Sequence, residues 1–122
     1  MTVTTYKWTI ERYHRAIEVA IVKPLGEVYL EYHPYPEDIF WIIEFSKATL
    51  SKDLGDKKDI YAEAGIAEYW VVNLKTAQMH VFRDLKNGQY TTELILTTGT
   101  IAPLAFTDIF VQVQRFIGLP SK

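Results

Sequence analysis

The stretch Asp38-Ile-Phe-Trp-Ile-Ile-Glu-Phe-Ser46 decides the fold. Side chains alternate across a strand, so Phe40, Ile42 and Glu44 share one face and Trp41, Ile43 and Phe45 share the other. Both faces are apolar. A strand covered on one side only would alternate with polar residues, so this pattern predicts an internal strand covered on both sides. Glu44 breaks the pattern. A lone carboxylate in an apolar layer costs several kcal/mol, roughly, unless it is paired or binds a metal. The plainer roles are a structural ion pair or a sheet-end acid reaching water; the sharper one is a functional acid.

Downstream, Thr49 to Ala64 reads as a helix that Gly65 stops at the C′ position. Leu50, Leu54, Lys57, Tyr61 and Ala64 are spaced 4, 3, 4 and 3, which is the stripe a helix turns to its core. Lys57 stands in the middle of that stripe. It either snorkels along it to water or points at the sheet. Lys52, Asp56, Lys58, Asp59 and Glu63 read as solvated positions. The helix follows the Glu44 strand after a short loop, so its core face can lie on that strand and bring Lys57 to Glu44.

Further strands are expected at Glu68–Leu74, Met79–Arg83 and Gln89–Leu96, with Asn87-Gly88 as the hairpin turn between the last two. Upstream, Ile10, Tyr13 and Ile17 sit at helical spacing and predict a short amphipathic helix from Thr9 to about Ile17. It runs with no Gly, Pro or Asn turn into a strand at Val19–Val22. Glu18 lies at that junction, as the last residue of the helix or the first of the strand. Residues 103–119 hold a short strand or helix. Helix, strand, strand, helix and then a run of strands predict an α/β or α+β sheet with a helix packed on it. The 122 residues fit one domain spanning 1–122.

Composition narrows the chemistry. Apolar residues make up 48% and charged residues 23%, which excludes a disordered chain. Cysteine is absent, so disulfides, thiolate metal sites and Cys nucleophiles are excluded. The net charge of −2 means that any nucleic-acid contact is local rather than a matter of bulk charge. No apolar run nears the roughly 20 residues of a membrane span, and the first 18 residues hold no signal-peptide core. A cytoplasmic protein is therefore expected. His14, His33 and His80 lack metal-ligand spacing, the glycines form no phosphate cradle, and the serines sit in no nucleophile elbow.

The segments Ile42-Ile43-Glu44-Phe45-Ser46, Asp53 to Ile66 and Glu68-Tyr-Trp-Val-Val72 resemble the Uma-two family of restriction endonucleases, common in cyanobacteria. The resemblance runs from about Glu18 to Leu119, and Lys7 through Arg15 looks like the family's N-terminal helix. It implies the restriction-endonuclease-like PD-(D/E)XK fold, a mixed sheet with flanking helices. Such enzymes use an Asp after Pro on one strand, an acid on the next and a lysine on the following helix. Glu44 matches the second acid and Lys57 the lysine. Glu18 matches the first acid, with Glu in place of Asp and no preceding proline. The usual segment between the first helix and this strand is missing, as though internally deleted.

The implied function is metal-dependent hydrolysis of nucleic-acid phosphodiester bonds, with DNA as the substrate. Glu18 and Glu44 would hold Mg²⁺ or Mn²⁺, and Lys57 would orient the attacking water and offset phosphate charge. A second reading follows from the shortening: an inactive member that persists as a folded homodimer or binding module. A Glu18–Glu44 carboxylate separation beyond about 7 Å would exclude a shared metal, given ligand bonds near 2 Å.

Overall fold

A computed structural model of the chain describes residues 4–9, 17–25, 30–31, 34–46 and 54–118; at residues 4–9, 17 and 18 it describes the backbone alone. Strands β1 (Thr4–Thr9), β2 (Ile17–Val22), β3 (Ile39–Ser46), β4 (Tyr69–Asn73), β5 (Gln78–Lys86) and β6 (Gln89–Leu96) form one sheet in sequence order. Neighbouring strands run antiparallel except β3 and β4, which are parallel. A parallel pair needs a crossover, and helix α1 (Asp56–Glu63) lies in that connection. Downstream, β7 (Thr100–Ile101) and β8 (Val111–Gln112) pair with each other, and helix α2 (Val113–Gly118) follows. This is a mixed α+β restriction-endonuclease-like architecture. Among the described residues no helix is long and apolar enough to cross a membrane.

The expected two-sided cover of β3 is present. On one face Ala20, Val22, Ile42, Tyr69, Val71 and Phe82 pack with Leu54 before α1, Tyr61 within it and Ile66 after it. On the other, Ile21, Trp41, Ile43, Trp70, Val72, Met79 and Val81 pack with Ile101, Phe106, Val113 and Ile117 from the C-terminal segment. The second layer is tied down by a buried ion pair. The Glu68 carboxylate, at the start of β4, accepts from the Trp70 indole N–H (2.8 Å), the Leu104 amide (2.8 Å) and the Arg83 guanidinium. Arg83 also donates to the Ala102 carbonyl at 3.1 Å.

The end of α1 follows from its sequence. Gly65 adopts φ +86, a left-handed conformation that costs glycine no Cβ clash. The Gly65 amide then reaches the Ala62 carbonyl and the Ile66 amide reaches that of Tyr61, which is a Schellman cap. Tyr61 and Ile66 meet in the same apolar cluster, sealing the turn. The Asn87-Gly88 hairpin is also as expected, with positive φ at both residues and Lys86 opposite Gln89.

Three expectations are corrected. Residues 7–9 belong to strand β1, which pairs with β2, and not to a helix. Thr, Tyr and Trp between Thr4 and Thr9 favour a strand, and cross-strand pairing outweighed the helical spacing of a few apolar residues. The rest of that expected helix, residues 10–16, lies outside the described residues, as does the expected start of the second helix at 49–53. Ala64, still helical at the cap, is exposed, and Ala62 is the buried small residue of α1. Asp38 sits in a 3-10 turn (Pro36–Asp38) before β3 instead of inside the strand.

Candidate functional site

Glu44 occupies the sixth position of β3 and has no exposure to solvent. Its strand neighbours place it in a row. Glu44 lies opposite Glu18 in β2 and opposite Val71 in β4, and Val71 lies opposite His80 in β5. Residues directly across a ladder share a face of the sheet. The row therefore runs 18, 44, 71, 80 over four strands, on the face that α1 covers.

Above this row α1 delivers Lys57. Its ammonium donates to Glu44 Oε1 at 2.5 Å, across 13 residues of sequence. The Lys57 side chain is 20% exposed while that of Glu44 is sealed, so the lysine links a buried anion to the solvent side of the helix. The flanking positions behave differently. Asp56 and Asp59 are exposed, and Lys58 lies 5.5 Å from the centre of the Phe82 ring, a cation–π contact. Tyr61 is core: its ring packs edge-on against Tyr69.

The two residues that break the apolar pattern are thus brought together. For Glu18 the backbone settles one question and leaves another outside the described residues. It belongs to a strand and is registered opposite Glu44, while its side chain, and so the carboxylate separation, is not described. Among the described residues no three His, Asp or Glu groups are gathered in metal-binding geometry. His80 is buried, stacks on Phe82 and has Nδ1 3.4 Å from a Glu93 carboxylate oxygen. Its place in the Glu44 row was not readable from residue spacing, because only pairing through β4 creates it. His14 and His33 lie outside the described side chains.

Glu68 is the second sealed acid, and it also escaped sequence reasoning. It stands at a strand entrance, where a charged residue is unremarkable. Its partner Arg83 is 15 residues away and reaches it only through the β4–β5 hairpin. Burial by itself therefore does not mark a functional acid. Glu68 is bonded to a backbone amide, an indole and a guanidinium, all holding one layer on another. Glu44 meets a partly solvated cation and is registered opposite another acid's position in the neighbouring strand.

A mixed sheet whose internal strand carries a sealed acid, met by a lysine from the crossover helix, defines a protein of the restriction-endonuclease-like class. The chain belongs to the Uma2 family, described as "Putative restriction endonuclease", whose profile matches residues 5–114. A search of curated proteins finds no match.

Proposed function

We propose that this chain, as one domain spanning 1–122, is a cytoplasmic metal-dependent endonuclease. It hydrolyses phosphodiester bonds of nucleic acid, DNA first among them, with Glu18, Glu44 and Lys57 as its catalytic residues. The observation that carries this is the contact between Lys57 Nζ and Glu44 Oε1 in a row shared with position 18. Family membership supports a nucleic-acid substrate.

The donor set fits a hard divalent ion. Carboxylate oxygens are the ligands Mg²⁺ and Mn²⁺ prefer, and these ions keep several waters rather than needing an all-protein cage. Glu18 and Glu44 are the residues that would hold one. When bound, the ion supplies positive charge to the phosphate and makes water a better nucleophile. The residues divide the remaining work. Glu44, fixed in an internal strand and sealed from bulk water, gives the site its negative charge at a rigid position. Lys57 presents an ammonium whose protons orient a water or a phosphate oxygen, and its charge offsets that gathering on the phosphate. Its 20% exposure leaves it reachable by a substrate laid over the N-terminal half of α1.

A second reading has its own support. A lysine bonded directly to Glu44 also describes a structural ion pair, in an inactive chain kept as a binding or dimerisation module. Calorimetric titration with Mg²⁺ and Mn²⁺ separates the two. Saturable binding in the wild type that disappears in Glu44→Gln is expected. A folded wild type that binds neither ion refutes the nuclease reading.

A further inference from the structure

Beside β8 and α2 the surface holds a cavity of about 420 Å³, lined by Phe110, Val111, Gln112, Arg115 and Phe116. That volume lies in the range of small-ligand sites. Phe110 is 70% exposed, and its neighbour Ile109 is exposed as well. A phenylalanine ring left in water gives up the stabilisation that burial brings, so core packing does not account for this one. Phe116, half-buried, supplies a second ring. Arg115 is the one charged residue of the lining. Its Nε donates to Gln112 Oε1 at 3.1 Å, its only hydrogen bond among the described residues. Both terminal nitrogens therefore remain to meet an anion.

We infer that this cavity binds one unpaired nucleotide of a single-stranded nucleic acid, its base stacked on the Phe110 ring and its phosphate held by Arg115. The inference rests on the nucleic-acid substrate proposed above and adds the form that substrate takes. The groups present select the occupant. An aromatic ring stacks on any base, a guanidinium pairs with phosphate, and the two together are how proteins hold single strands. In a duplex the faces of a base are already stacked on its neighbours, so only an unpaired base enters. A protein partner suits the place less well. A standard interface takes roughly 20–30 residues a side, and the large apolar side chains exposed in this segment are Leu104, Ile109 and Phe110. The cavity is also joined to the strand that carries Glu44. The Phe116 ring centre lies 5.9 Å from that of Phe45, which follows Glu44 on β3 and faces the other side of the sheet. A nucleic-acid strand held there and cut beside Lys57 turns around the sheet, a bend that duplex DNA, with a persistence length of about 50 nm, resists.

The experiment is fluorescence anisotropy of a dye-labelled oligo(dT) of about 10 nucleotides, titrated with the wild type in EDTA. A duplex of the same length and label is titrated alongside. EDTA stops metal-dependent cleavage, so binding is read apart from it. A chain that binds oligo(dT) and cuts nothing once metal is restored fails the nuclease reading and keeps this inference. A chain that cuts duplex but does not bind oligo(dT) does the reverse.

The expected result is tighter binding of oligo(dT) than of duplex. Phe110→Ala, folded by circular dichroism, weakens it by about tenfold or more, and Phe110→Trp, which keeps a stacking ring, retains it. Arg115→Gln lowers the slope of log affinity against log salt by about 0.7, the share of one phosphate on a single strand. Leu104→Ala, at an exposed apolar residue outside the lining, leaves binding unchanged. A wild type that binds no oligo(dT), or binds duplex as tightly, overturns the inference. So does a loss in Leu104→Ala as large as in Phe110→Ala. A Phe110→Ala variant that binds oligo(dT) like the wild type but loses self-association in sedimentation velocity also overturns it, and makes the ring a protein contact instead.

Discussion

Replacing Glu44 and Glu68 each by glutamine tests the proposal that Glu44 is a working acid against Glu68, a structural one, because the two carboxylates are equally sealed from water. Glu68→Gln keeps an acceptor oxygen for the Leu104 amide. It turns an NH₂ group toward the Trp70 indole and the Arg83 guanidinium, both donors, and leaves Arg83 without its anion. Breaking a buried pair by removing one partner costs about 3–5 kcal/mol. Arg83 keeps 15% side-chain exposure, which places the loss toward the lower end. Against a total stability of about 5–15 kcal/mol this is a large fraction.

Glu44→Gln removes a charge from a site with no solvent access and leaves Lys57 a route to water. Relief of desolvation and loss of a charge-assisted hydrogen bond nearly offset each other, so the change is expected within about 1 kcal/mol. Guanidinium unfolding followed by tryptophan fluorescence reads both, since Trp70 sits beside Glu68. An acid kept for chemistry is one the fold can lose cheaply. A Glu44→Gln variant that loses as much stability as Glu68→Gln would refute the assignment of Glu44 to a working site.

Two further predictions follow from single contacts. Lys57→Met takes a positive charge away from beside Glu44, so Mn²⁺ affinity by calorimetry is expected to rise while cleavage in a substrate screen falls by at least about tenfold; weakened metal binding would mean that Lys57 holds the site together instead of serving the phosphate. Burial, with Glu68 adding to it, raises the Tyr90 phenol above its usual range. The folded state therefore holds that proton when the unfolded chain loses it near pH 10, and stability falls as pH rises from there. Tyr90→Phe is expected to lose about 1 kcal/mol at pH 7, from the missing bond to the Ile66 carbonyl, and to show a shallower alkaline decline in urea unfolding.

The Glu44–Lys57 contact was legible in the sequence where a residue contradicted its own surroundings. Glu44 stands in a strand apolar on both faces, and Lys57 stands in a helix stripe otherwise built for the core. Each violates a local rule, and the contact between them is what the two violations share. β6 and the Asn87-Gly88 turn were legible because their signals are local. The features that escaped depend on pairing between distant segments. β1 was misread because a strand's identity comes from its partner as much as its residues, and β2 supplies that partner. The Glu68–Arg83 tie and the place of His80 in the Glu44 row exist only once β4 and β5 are in register.

The crossover from β3 to β4 has a consequence for the order in which the site assembles. Glu44 and Lys57 are 13 residues apart, inside one strand–helix unit, so the entropy lost in closing that loop is small. The acid–lysine contact can form as soon as β3 and α1 dock, before the remaining strands join. Position 18 arrives separately, on the hairpin of β1 and β2. Exchange of residue 18, or of the strand that bears it, leaves the Glu44–Lys57 contact untouched.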